Sequence, residues 1–535
     1  MQKQGSFNLY SDVVNFLVKI EQEFDVNSLI YRDLLVWPII RNHLWFFNNV
    51  YQPVAVNRSS CTILKDEITE NYYFPTNVPQ ITKKNNFFLT KWKKLKNFNH
   101  NRIILKNEND RLMRHYSILK EKGPKDILFF TCPIYLQNIL QGKHFDMFFD
   151  PLCEKINNKN SFLKIGIGNS VFKPKDVFHE TPMFFGLPYS TIHTIVNSKK
   201  DNEVIKNYDS LIKYIATIKS SFVLQKETII QTIRRLLVKE KIFDKMLSIL
   251  NPKIIFIIEY GNDDFLPLIR ASRKRNILSV DIEHGFMNES YGPYTHWTNI
   301  PKDGYDLLPN FIWSWNQKCK VRIQQHRNNN FHKVICGGHP YLTKYFTNPE
   351  HFAIKKSCIL PKVLKYFRKI ILVDINTTLI VLPRILIDAM KESQNDWFWL
   401  VRIHPMIKSQ VEQIESILDF EQIDNYEVKL STELPIYSLL NMVHVFITPG
   451  STISVEALSF GIKTLLFGKL GEEIYSDFIE KGIFIKVESK DQILNEIKND
   501  NYPDLQNVKL NLLLTDDNEQ CKTLNQLLNL AGIKN

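Results

Sequence analysis

The feature that most constrains this chain is a pattern that runs twice. Short, almost wholly apolar segments alternate with longer amphipathic ones, first as DILFFTC (126–132), FLKIGIG (162–168), KIIFIIEY (253–260), ILSVDI (277–282), NFIWSW (310–315) and KVICGG (333–338). After His339-Pro340 comes a polar, Lys-rich connection to about Arg368. The pattern then restarts as KIILVDI (369–375), WFWLVRI (397–403), YEVKL (426–430), HVFIT (444–448), KTLLFG (463–468) and IFIKV (483–487). Apolar runs without polar alternation read as strands buried on both faces, which a parallel sheet covered by helices provides. Stretches such as IIQTIRRLLVKEKIFDKMLSIL, PRILIDAMKES, SQVEQIESIL and SVEALSFG supply those helices, the first within a long helical region of roughly 202–250. The expectation is α/β architecture: two Rossmann-like, doubly wound parallel-sheet domains, over 126–345 and 346–535.

Composition agrees with two such cores. The chain has 535 residues, 44% hydrophobic and 23% charged, which excludes a disordered protein, and its 18 Gly and 23 Pro exclude collagen-like and Pro-rich architectures. Seven scattered cysteines with no CxxC argue against a zinc site or a disulfide framework. The N-terminus lacks the layout of a signal peptide, and the longest apolar run, near Ile254–Ile258, is far shorter than a bilayer span. These features predict a cytoplasmic protein.

Residues 1–125 do not share the pattern. SDVVNFLVKIEQEF has helical spacing behind Ser11, and YRDLLVWPIIRNHLWFF brings Arg32, Trp37, Pro38 and Arg41 close together, Trp37 reading best as core; the region looks mainly helical to about Val50. Between Lys83 and Lys125 stand thirteen basic residues against Glu108, Asp110 and Glu121, so 13 − 3 = +10 of the net +12 lies there. With Trp92, Phe87, Phe88 and Leu95 interleaved, this stretch is either an arm for an anionic membrane surface, at the inner face of the cell membrane, or a solvated basic linker. No RRM, KH or helix-turn-helix signature accompanies the charge, so nucleic acid is not the expected partner.

Ligands of open parallel sheets bind beyond the carboxyl ends of the strands. Three strand ends stand out. Thr448-Pro449-Gly450-Ser451-Thr452 leads into a helix bearing Glu456, a turn whose amides and hydroxyls suit a phosphate and whose carboxylate suits ribose hydroxyls. Helix capping by Ser451 or Thr452 is the plain alternative. Arg402 and His404 share one side of WFWLVRI at its exit and suit a departing phosphate. Glu283 and His284 precede Gly285 after ILSVDI, with His284 the better general base at neutral pH. Glu259, Asn262 and Asp263 follow the previous strand and are candidates for the acceptor side of the cleft, although Asp263 and Asp264 equally suit a helix cap. No P-loop, no nucleophile elbow and no D-x-D pair for a metal-bound diphosphate occurs, so neither metal nor cofactor is expected.

Together these residues resemble the GT-B-fold glycosyltransferases of bacterial surface polysaccharide synthesis. IEHGFMNESYG (282–292) resembles the HG loop of capsule-type transferases, R-I-H-P (402–405) their HP motif, and PGSTISVEALSFGIKTLLFG (449–468) their Ser/Thr…Glu donor site. WSWN (313–316) with ICGGHP (335–340) is similar to the passage between their domains. The resemblance spans about 250–470 and implies a GT-B-like fold, a nucleotide-sugar donor, and a glycan or glycolipid acceptor of capsule or lipopolysaccharide synthesis. It further implies phosphate contacts from His404, Ser451 and Thr452, a ribose contact from Glu456, and His284 as base with Glu283 orienting it or replacing it. Kdo and sialyl transferases carry an acid in the slot that holds His284 here, whereas teichoic-acid transferases carry a histidine in a similar context. A polyol-phosphate transferase, a nucleotide-sugar 2-epimerase and a non-catalytic membrane scaffold are the alternatives.

Overall fold

The computed structural model describes residues 9–47, 106–168 (except 137 and 141), 176–184, 192, 203–219, 224–352 (except 326 and 328–330), 358–376, 382–500 and 515–535. The apolar runs become strands because each has helices to bury both of its faces. In the first domain β1 (Ile127–Thr131), β2 (Phe162–Ile167), β3 (Met183–Phe184), β4 (Ile254–Ile258), β5 (Leu278–Ile282), β6 (Phe311–Ser314) and β7 (Lys333–Cys336) form one parallel sheet in the order β7-β6-β5-β4-β1-β2-β3. In the second, β8 (Lys369–Ile375), β9 (Trp397–Ile403), β10 (Tyr426–Glu427), β11 (Val445–Thr448), β12 (Lys463–Phe467) and β13 (Ile485–Val487) form another, in the order β10-β9-β8-β11-β12-β13. Every residue of β1, β4, β8 and β12 is buried. The fold is the two-domain, GT-B-like α/β arrangement.

Differences from expectation sit at the short elements. YEVKL is strand only at Tyr426–Glu427, because the Glu427 carboxylate accepts the amides of Leu430 and Ser431 (both 2.6 Å) and turns the chain into the short helix Lys429–Glu433. The helical region of 202–250 is two helices, Tyr208–Ile218 and Lys226–Leu250. A side hairpin pairs Asn138–Leu140 with Lys143–Phe145 next to the exit of β1.

The N-terminal region joins the first domain. Helix α1 (Tyr10–Glu23) leads through a two-residue hairpin, Ile30–Tyr31 on Leu34–Leu35, to α2 (Trp37–Phe47), where Pro38 occupies the first turn and needs no donor. Trp37 is core, as its residue type suggests, with its indole N–H on Glu21 (2.9 Å). Most of the basic stretch, 83–105, lies outside the described residues. Its remainder contributes a helix over 106–122, held to the first domain by buried Tyr116 and Leu119 and by the Tyr116 hydroxyl on the Ile242 carbonyl (3.0 Å). The last helix, Asp517–Leu530, returns to the first domain: Thr523 Oγ1 donates to the Cys336 carbonyl (2.9 Å), and Leu524, Leu527 and Leu528 are buried. Among the described residues no helix is long and apolar enough to cross a membrane.

Candidate functional site

Strand order reverses between β1 and β4 in the first sheet and between β8 and β11 in the second, and each reversal leaves a crevice at the carboxyl ends. The two crevices open on one cleft of about 930 Å³ between the domains. Ile134, Tyr135, Met147, Phe148, His284 and Trp315 line it from the first domain. Asp374, Arg402, His404, Lys408, Thr452 and Glu456 line it from the second. Residues more than a hundred positions apart therefore share one cavity of small-ligand size.

His284 stands where the sequence suggests, just past β5. Burial lowers its pKa below 6.5, partly offset by the Glu259 carboxylate, so the ring is neutral at physiological pH. Its Nδ1 is buried and has no hydrogen-bond partner among the described residues. Glu283, by contrast, does not line the cleft. Its carboxylate accepts the amides of Met287 (2.8 Å) and Trp315 (2.6 Å), which fixes the turn that presents His284. Burial raises its pKa to about 7, and those amides act against the rise. Gly285 then passes so close to the other domain that a Cβ there would sit 3.0 Å from Thr452 Cγ2.

On the second domain Thr448, Gly450, Ser451 and Thr452 form the turn after β11. Gly450 has φ +133°, and a Cβ on it would lie 3.0 Å from the Gly471 amide nitrogen. The amides of Gly450 and Ser451 point at Thr448 Oγ1 (3.3 and 3.1 Å), so they brace the turn instead of standing open as expected for a phosphate cradle. Thr452 reaches the cleft, while Gly450 and Ser451 stand behind it. Arg402 lines the cleft, yet one guanidinium nitrogen is committed to the carbonyls of Ser431 and Leu434 (2.7 Å each), tying down the wall that runs to Ile436. His404 lies beyond it, its pKa lowered by burial and by the Arg402 charge.

Glu456 lines the cleft one turn into its helix, and burial raises its pKa to about 7 against a hydrogen bond from Tyr437. His339 Nε2 lies 3.9 Å from its carboxylate and 3.5 Å from the Tyr437 hydroxyl. Because His339 Nδ1 accepts the Leu342 amide (3.2 Å) and burial lowers the ring's pKa to about 3, the imidazole is neutral and its proton sits on Nε2, facing that pair.

Glu259, Asn262 and Asp263 do not line the cleft. Glu259, with φ +60° at the end of β4, acts on His284 through its charge. Asn262 Oδ1 accepts the Asp264 amide (3.0 Å), and Asp263 is exposed. Trp315 lies within the WSWN segment, whereas the cleft residues Asp374, Lys408 and Tyr135 carried no motif signal. Asp374 faces Arg402 across the β8–β9 register, so strand-end alternation in KIILVDI was the signal available for it. Among the described residues no group of three His, Cys, Asp or Glu side chains is arranged to hold a metal ion.

No protein-family model matches the chain, and no curated protein matches it. Solved structures do. The S. aureus MnaA–UDP co-structure is 11% identical over 77% of this chain and 98% of that one, with a TM-score of 0.45. UDP-GlcNAc 2-epimerase from Neisseria meningitidis, bound to UDP-GlcNAc, is 12% identical over 76% and 100%, with a TM-score of 0.43. The wall teichoic acid polymerase TagF is 12% identical over 84% and 98%, also at 0.43. The two sheets define the fold of this chain independently of these likenesses.

Proposed function

We propose that the protein is a glycosyltransferase that moves a sugar from a nucleotide donor to a surface-glycan acceptor, without a metal. The observation that carries this reading is the meeting of His284, from one sheet, with His404, Thr452 and Glu456, from the other, in one cleft. An acceptor hydroxyl would give its proton to the neutral His284 ring as its oxygen attacks the anomeric carbon. The bond from that carbon to the donor's phosphate oxygen breaks, and the N–H of His404, the Thr452 hydroxyl and the Lys408 ammonium stabilise the departing phosphate. Glu456, steadied by Tyr437, would take the ribose hydroxyls. Because His284 titrates below 6.5, turnover should hold its plateau down to that pH before the acid limb begins.

Thermal-shift screening with CMP-, CDP-, UDP-, GDP- and dTDP-linked donors tests the reading first. With the donor found, His284→Ala should lower kcat by about 10²–10⁴-fold, and His404→Ala should raise the donor's KM. Near-normal turnover in both folded variants would sink the assignment. Transfer of a polyol phosphate by the same cleft is the second reading. An imidazole rather than a carboxylate at position 284 supports it, and release of CMP with transfer of the phosphate to the acceptor would establish it. Membrane attachment through 83–125 belongs to the same proposal, and unchanged vesicle binding after its deletion would refute it.

A further inference from the structure

The base loop and the donor turn belong to different domains, yet one side chain touches both. Tyr475 follows the helix Gly468–Ile474 of the second domain. Its hydroxyl donates to the Ser451 carbonyl at 2.8 Å, inside the donor turn. Its ring stacks on Phe286, two residues past His284, with centroids 6.0 Å apart and planes at 28°. Phe286 is also edge-on to Phe478 at 5.7 Å, and Tyr475 is packed against Phe478 (5.8 Å) and Phe484 (5.1 Å). All four rings are buried.

We propose that Tyr475 is a positioning residue that sets the spacing between His284 and the donor turn, so that occupation of the donor site orders the base. The proposal rests on the cleft being a nucleotide site. Its physical basis is that the base loop is pinned at both ends. Glu283 and Arg322 hold it to its own domain, the latter by a guanidinium N–H on the Met287 carbonyl at 3.2 Å. Phe286 plugs it into the other domain. Lys318 and Arg322, both on the helix Gln317–Gln325, reach Asp477 of the second domain at 2.5 and 3.6 Å and hold the same seam. Packed aromatic cores shift between discrete arrangements rather than stretching, so a movement of the 451–452 turn reaches His284 through the Tyr475 ring. Transfer is sensitive to misplacement of the base by about 1 Å, which gives such a strut catalytic weight.

Hydrogen exchange read by mass spectrometry on the full chain, with and without CMP, CDP, UDP, GDP or dTDP, tests this. In the wild type the nucleotide that binds should slow exchange over 284–288, a segment of the other domain. Tyr475→Phe keeps the ring and loses the bond to Ser451. It should still bind that nucleotide, about fivefold more weakly for one lost hydrogen bond, but lose at least half of the slowing over 284–288. Phe286→Leu should lose it too, with donor affinity unchanged, and it serves if Tyr475 variants fold poorly. Equal slowing in wild type and both variants would overturn the proposal. If none of the five nucleotides binds the wild type, the functional reading fails on its own. Tyr475 is then judged in free protein, where exchange over 284–288 and 451–455 should both rise in Tyr475→Phe, and unchanged exchange would overturn its role.

Discussion

Two glycines beside the cleft show how differently the same residue type can be required. Gly450 combines a left-handed φ of +133° with backbone of Gly471 3.0–3.1 Å from where a Cβ would stand. Neither obstacle can rotate away. Gly450→Ala should therefore cost about 1–3 kcal/mol and loosen the turn at 448–452, seen as a lower unfolding midpoint and, under the proposed function, weaker nucleotide binding. Gly285 has an ordinary φ, and its obstacle is the Thr452 methyl, the end of a side chain. Gly285→Ala should cost under about 1 kcal/mol while still weakening turnover, because Thr452 must turn in the cleft. Equal stability losses in the two variants, measured by denaturant titration, would contradict this. Motif spacing pointed to both positions. It did not show that Glu283 and Arg402 would spend their polar atoms on backbone groups, because all of those partners except the nearby Met287 amide come from strands and turns 29–32 positions away.

Among the elements, long strands were legible and short ones were not. KIILVDI and WFWLVRI carry the apolar runs IILV and WFWLV, which read as strands buried on both faces, whereas the side hairpin at 138–145 and the Ile30–Tyr31 hairpin are two or three residues deep and leave no period to read. The N-terminal helices were visible as helices, but not their task. Glu21 on α1 is fully buried and accepts from Trp37 Nε1, Arg41 Nε (2.8 Å), and the amide and hydroxyl of Thr298 (2.6 and 2.8 Å). Arg41 on α2 then donates to the carbonyls of Gly292, Thr295 and His296, downstream of His284. Glu21→Gln leaves Arg41 charged and poorly paired in the interior, and breaking a buried pair from one side costs about 3–5 kcal/mol. The expected result is a correspondingly lower denaturation midpoint with faster exchange over 291–298; a loss under about 1 kcal/mol would show that the pair is not what anchors the loop.

For the whole molecule the buried titratable groups set the pH at which it is most stable. Burial raises Asp374 to about 6, Glu456 and Glu283 to about 7 and Asp281 to about 8. Asp281 accepts the Tyr294 hydroxyl (2.6 Å) on one oxygen, while the other has no partner among the described residues. Burial lowers His43 and His179 to about 4 and His332 and His339 to about 3. The signs oppose one another. An acid whose folded pKa is raised adds stability that is complete below its unfolded pKa near 4 and is lost as pH rises through 6–8. A histidine whose folded pKa is depressed adds stability that is complete above its unfolded pKa near 6.5 and is lost as pH falls toward 3–4. Below 6.5 the two slopes compete. Above it the histidines contribute no slope and the acids act alone. The unfolding midpoint should therefore decline above pH 6.5 and level off past about pH 8, as the last of these acids ionises in the folded protein. Asp281→Asn, which keeps the shape and removes the charge, should flatten the upper part of that decline more than any loss it causes at pH 6. A midpoint that rises across pH 6.5–8.5, or a decline of the same slope in the variant, would mean that these carboxyls are ionised in the folded protein and that their surroundings are wetter than their burial implies.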